Sequence, residues 1–207
     1  MVIPPYLLWR IGALVLAILV YLFLSNQPAE HRKTTINHFI NLSITLFVSL
    51  FGAKFVTNAS LLLESPMALL VYPSGTPELY IALGITTVQA LYIMRKEENK
   101  DILLQGLVMI ALFTLFFFDF SRVIFVEGPV NASLFIWFLF IVVMLFKPQF
   151  ILEYASVAML LFVLTSLFWM TPDLMGMRVH VYFYLFGFMF FKGVISIKNK
   201  IVDKGSM

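Results

Sequence analysis

The residues able to do chemistry in this chain are few, and most fall within or beside long apolar stretches. Glu153 lies near the start of the apolar run Phe150 to Met170, and Lys192 lies inside the last such run, Val179 to Ile197. A charge at the centre of a bilayer costs at least about 2.5 kcal/mol on insertion scales, so each needs a physical reason. Glu153 reads as a carboxyl that is protonated, paired or held at head-group level; the functional reading is a cavity-lining group that binds a lipid head group or relays a proton. Lys192 has a stem long enough to reach the interface, and pairing with Glu153 would reduce both burial costs. Arg10 stands one turn above a long apolar run, as an interface anchor or a ligand for phosphate. Asp119 and Arg122 are three apart and share a face if their helix continues, where an exposed ion pair is worth well under ~1 kcal/mol. Asn37, His38 and Asn41 share a helix face, which suits hydrogen bonds between helices; an acid or base role for His38 is the alternative.

Some chemistry is excluded by composition. The chain has no cysteine, which removes disulfides, thiolate catalysis, iron–sulfur clusters and Cys-ligated zinc. Its three histidines, His31, His38 and His180, have no metal-ligand spacing, so no metal and no other cofactor is expected. No basic stripe interleaved with aromatics occurs, and nucleic acid is not an expected partner.

The elements that must position these residues follow from the solvent they imply. Of 207 residues, 61% are hydrophobic and 12% charged, and the mean hydropathy is +0.97. Soluble domains run roughly 45–50% apolar and about 25% charged. Lipid must therefore surround most of the chain, and the expected class is an all-α integral membrane protein of the cell membrane, one polytopic domain over residues 1–207. At about 20 apolar residues per crossing, seven spans are expected, at about 6–24, 36–56, 77–94, 102–118, 130–146, 150–170 and 179–197. The first lacks a small-residue cleavage site and reads as a span, not a removable leader. Thr57 to Thr76 is apolar but broken by Glu64, Pro66, Pro73 and Gly75, which suits a re-entrant or interfacial loop between spans two and three.

Positive residues decide the expected orientation. One side carries nine (Arg32, Lys33, Arg95, Lys96, Lys100, Lys147, Lys198, Lys200, Lys204) and the other four (Arg10, Lys54, Arg122, Arg178), with Lys192 inside span seven. The bias places the N-terminus outside and the C-terminus in the cytoplasm. Trp9, Trp137 and Trp169 then fall toward outer ends, where interface-seeking indoles collect. No repeat of 20 to 50 residues is visible, which gives no support to a transporter built from duplicated halves.

The order of features resembles the phosphatidylglycerol:prolipoprotein diacylglyceryl transferase family across nearly the whole chain. Ile3, Pro4 and Trp9-Arg10 before Gly12 are similar to the opening that leads into the family's I-R-W-Y-G. Ile36-Asn37-His38-Phe39-Ile40-Asn41-Leu42 and Leu50-Phe51-Gly52-Ala53-Lys54-Phe55-Val56 look like its D-H-L-L-D-L and I-G-A-R-L-Y-Y elements. Glu64-Ser65-Pro66 and Ser74-Gly75 fall where the family has its own re-entrant region and glycine-rich start of span three. Pro148-Gln149-Phe150-Ile151-Leu152-Glu153 is similar to P-T-Q-L-Y-E, and Val181-Tyr182-Phe183-Tyr184-Leu185-Phe186-Gly187 to the final span. The resemblance implies seven spans and a site open to phospholipid. The departures bear on activity: the H-G-G-L histidine would fall near Tyr80, the signature G-R-x-G-N-F-x-N-G-E matches only Arg122, and the arginine of the last span would lie near Met189. The general base and the cations that diacylglyceryl transfer needs are thereby missing.

Three functions compete. The first is a non-catalytic or re-purposed relative whose partners are membrane phospholipid, or another membrane protein or lipoprotein, with Arg10, Tyr80, Arg122, Glu153 and Lys192 as lipid or polar-cavity candidates. The second is an active lipid- or lipoprotein-modifying transferase using Arg122, Glu153, Tyr80 and Arg10 in new roles. The third is a small-solute transporter, whose only mid-span polar candidates are Gln89, Gln105, Thr86, Thr87 and Ser166.

Overall fold

The computed structural model describes residues 5–59, 75–125, 132–147, 150–168, 174–177 and 179–205. Among them the chain forms seven helices and no strand beyond an isolated bridge between Leu174 and Met177. The helices are α1 (Pro5–Leu24), α2 (Ala29–Thr57), α3 (Thr76–Lys96), α4 (Lys100–Phe125), α5 (Ala132–Phe146), α6 (Ile151–Phe168) and α7 (Val181–Gly205). Four of them, α2, α3, α4 and α6, are long and apolar enough to cross a bilayer, and α1, α5 and α7 carry shorter apolar stretches. This is the composition of a helical membrane protein. Of the loop expected to re-enter the membrane, Thr57 to Thr76, residues 60–74 lie outside the described residues.

Helix limits follow local chemistry more than hydropathy. α2 begins at Ala29, well before the apolar run that starts at Ile36, because Pro28 occupies its N-cap and the Pro28 carbonyl accepts from Arg32 N–H at 3.0 Å. α3 starts after Gly75, with Pro77 in the first turn, where proline's missing N–H costs nothing. α4 does not stop at Asp119 as hydropathy predicts, but continues to Phe125. The buried Asp119 carboxylate accepts from the Ser133 hydroxyl at 2.8 Å, so the charge is held inside instead of ending the helix in water. α7 runs on to Gly205, through a lysine-rich stretch beyond the expected end of the last span at residue 197.

Two compact units divide the chain: Gln27–Leu107, and Met1–Asn26 with Val108–Met207. In the first, α2 packs along α3 over the small buried residues Ala53 and Ala82, which let the backbones approach. In the second, α6 packs along α7 and, less extensively, α5. Its core is an aromatic column in which Trp137 lies 4.6 Å from Phe162 and Phe162 5.0 Å from Tyr184, all three buried. Trp137 is thus a core residue and not the interface anchor expected from its place in the sequence, because ring packing there takes up the whole indole. Gly187 leaves room for Met159: a Cβ at this position would lie 3.2 Å from its sulfur.

Candidate functional site

The densest polar cluster joins the end of α2 to the start of α3. Glu78 is 4% exposed and Lys54 8%. One Glu78 oxygen accepts from the Thr57 hydroxyl and, at 3.1 Å, from Asn58 Nδ2. The other accepts from the Gly75 backbone N–H at 2.8 Å. That last bond is half of a capping box, since glycine has no side chain with which to return it. The negative charge also acts on Lys54, one turn before Thr57 on α2. The carboxylate therefore caps its own helix and bridges to the end of the preceding one, and its charge attracts that of Lys54.

A second pair closes the other end of the same unit. His38 Nε2 donates to Glu97 Oε1 at 2.9 Å; an ionised carboxylate only accepts, so Nε2 carries the proton. His38 thus makes the helix-to-helix hydrogen bond that its spacing predicts, whereas Asn37 and Asn41 are exposed. Gln27 Nε2 donates to the Ile102 carbonyl at 3.2 Å across the same end.

In the other unit Arg10 donates through Nε and Nη2 to the Met175 carbonyl, at 3.1 and 2.8 Å. Met175 and Gly176 form a two-residue turn, both with positive φ (50° and 78°), closed by reciprocal backbone bonds between Leu174 and Met177 of 2.8 and 3.0 Å. Trp9, beside Arg10, stacks on Phe125 at 4.7 Å with its rings 9° from parallel. Arg10 is a clamp on the α6–α7 connection.

The other sequence candidates are dispersed. Tyr80 lies on α3 in the first unit and is 38% exposed. Arg122 is half-buried in the last turns of α4, and Glu153 half-buried in the first turn of α6. Lys192 is exposed with its ammonium 5.9 Å from the Phe188 ring centroid. No ion pair joins it to Glu153, so the pairing that the sequence left open is not formed: each side chain has its own local setting, a helix N-terminus for the acid and an aromatic face for the base. Thr86 and Thr87 donate to the carbonyls of Ala82 and Leu83, and Ser166 to that of Val163, so these mid-span hydroxyls serve their own helices. Among the described residues no group of three or more His, Asp or Glu is arranged to hold a metal ion.

Sequence reasoning missed Glu78 as a site residue. Two signals pointed to it: the Gly-x-Pro-Glu start of an apolar helix, and a lone acid facing a lone base at the same depth of consecutive spans. Comparison with known proteins adds no lineage, since no family model, no curated protein and no solved structure matches the chain.

Proposed function

We propose that the protein is a seven-span protein of the cell membrane, with the N-terminus outside and the C-terminus in the cytoplasm, that binds phospholipid or a membrane partner instead of turning it over. The observation that carries the reading is an inverted distribution of polarity. Large apolar side chains stand out from the helices, among them Phe23 (86% exposed), Val88 (68%) and Phe186 (70%), while Lys54, Glu78, Asp119, Ser121 and Ser133 are buried. In water such faces would far exceed the apolar patches of a monomeric soluble protein; in lipid they are the solvated surface.

The contacts within each unit support the alternation of spans. His38–Glu97 and Gln27–Ile102 join ends that the reading places inside, and Thr57–Glu78 joins ends placed outside. Arg10–Met175, Trp9–Phe125 and Asp119–Ser133 likewise join ends placed outside. The binding role is supported by how the buried acids are used, since Glu78 and Asp119 both accept bonds that tie one element to the next. Kinship of layout with the diacylglyceryl transferase family belongs to the same proposal and supplies the ligand class, phospholipid.

Native mass spectrometry of the detergent-released protein tests this. Phospholipid adducts that survive purification are expected. A chain that emerges bare, from cells whose lipid and lipoprotein profiles are unchanged on gene deletion, overturns it. Release of glycerol phosphate from phosphatidylglycerol by the purified protein replaces binding with turnover.

A further inference from the structure

We propose that the protein pairs with a second copy of itself in the membrane, through the face of α2 turned away from α3. This rests on the membrane reading above, which puts that face in lipid. α2 carries two stripes at the roughly 3.5-residue spacing that keeps one side of a helix against a neighbour. One, through Thr35, His38, Leu42 and Ala53, is buried or half-buried and lies on the side packed along α3. The other, through Asn37, Asn41, Ile44, Val48, Phe51 and Phe55, is exposed at every position. At about 100° per residue the two stripes fall on nearly opposite sides of the helix.

The asparagines say what covers the exposed stripe. Lipid solvates Ile, Val and Phe, and these alone would call for no partner. Asn37 lies at the inner end of the expected span, and Asn41 about 7.5 Å inside it, at 1.5 Å per residue from Ile36. Neither side-chain amide makes a hydrogen bond among the described residues. So short a side chain does not reach back to the head groups as lysine does, and hydrocarbon offers it no partner. Whatever covers the stripe must therefore bring donors and acceptors to the depths of both residues.

A second copy does so by symmetry. Copies of one chain insert with the same orientation, so two α2 stripes related by a two-fold axis along the bilayer normal run parallel and in register. Asn37 then meets Asn37 and Asn41 meets Asn41. An amide both donates and accepts, so each pair satisfies itself. Gly52 adds a fit of shape. A Cβ on this residue would meet no atom within 4 Å, and the missing side chain leaves a hollow among the exposed Val48, Phe55 and Val56 into which a side chain of the other copy can settle.

Because the chain has no cysteine, a single introduced thiol can form a disulfide only with another molecule. The experiment oxidises the full chain in native membranes with copper phenanthroline, carrying Asn41→Cys, Val48→Cys or Phe55→Cys on the stripe, or Val88→Cys or Phe186→Cys at the 68% and 70% exposed positions of α3 and α7 as controls. A product of twice the chain's mass is expected from the stripe at about ten times the yield of the controls. Energy transfer between labelled copies in vesicles diluted with lipid measures the affinity. Asn41→Leu should weaken it about tenfold, as loss of a hydrogen bond between membrane helices does, while Asn41→Gln retains it. Gly52→Leu fills the hollow at a position open to lipid and should weaken it as well, with far-UV circular dichroism unchanged. Stripe yields no higher than the controls, in a chain that stays in carbonate-washed membranes, overturn the pairing and leave the membrane reading standing. Products of any other mass assign the face to a different protein and also overturn it. Pairing untouched by both Asn41→Leu and Gly52→Leu overturns this face as the interface. Release of the chain by carbonate overturns the membrane reading and the pairing with it.

Discussion

Replacing Glu78 by alanine removes a carboxylate that accepts three hydrogen bonds, one from Thr57 at the end of α2 and one from its C-cap Asn58, and whose charge acts on the buried Lys54. Hydrogen bonds between helices in membranes average about 0.6 kcal/mol and reach about 1.7. The three bonds together place the expected loss for Glu78→Ala at about 2 kcal/mol. Glu78→Gln keeps one acceptor oxygen and should cost about 1 kcal/mol. The decisive comparison is the double variant Lys54→Met/Glu78→Gln. If acid and base act on each other, its loss falls short of the sum of the single losses by at least about 1 kcal/mol, because the second substitution removes a charge whose opposite is already gone. Unfolding of the full chain in mixed micelles titrated with sodium dodecyl sulfate, followed by far-UV circular dichroism, measures each term. A loss below about 1 kcal/mol for Glu78→Ala, or strict additivity in the cycle, refutes the clamp.

Gly75 has an ordinary extended backbone, φ −96° and ψ −175°, so its requirement is space: an added Cβ would lie 2.9 Å from Glu78 Oε2. Gly75→Ala should cost about 1–2 kcal/mol in the same unfolding assay, and next to nothing when Glu78 is already alanine. Gly176 is needed for its conformation, with φ at 78°; Gly176→Ala should cost about 1 kcal/mol and speed hydrogen exchange at Leu174 and Met177. The absence of cysteine permits topology mapping with single introduced thiols. An impermeant maleimide should label His180→Cys in intact cells, and Lys33→Cys and Lys100→Cys only after permeabilisation. The opposite pattern inverts the orientation, and labelling of all three in intact cells refutes five crossings between Lys33 and His180.

Much of the fold was legible because hydropathy is a property of consecutive residues. The limits of helices α1, α3 and α6 fall within a few residues of three apolar stretches in the sequence, since Ser25, Arg95 and the Thr171–Asp173 segment end those runs abruptly. The spacing of Asn37, His38 and Asn41 marked the correct face for a hydrogen bond between helices, although only His38 makes one that reaches α3's end. Where hydropathy was taken as a boundary it failed. Asp119 looked like the end of a span because a carboxylate ordinarily seeks water, yet Ser133 of the next helix satisfies it in the interior. Trp137 looked like an interface anchor because of its position, and instead packs on Phe162. The possible Glu153–Lys192 pair rested on similar depth alone, and depth does not specify which way around its helix a side chain points.

By itself the amino-acid sequence determined the solvent and the secondary structure. Too few charges for water, apolar runs of about one bilayer's thickness and proline or glycine between them leave helices in lipid as the only way to satisfy the backbone. What the tertiary structure decided is which polar groups meet. Glu78 and Thr57 are 21 positions apart, His38 and Glu97 are 59 apart, and Arg10 and Met175 are 165 apart. Their encounters depend on the rotation and axial offset of whole helices, which are set by the summed packing of many small and aromatic side chains and not by any residue's immediate neighbours.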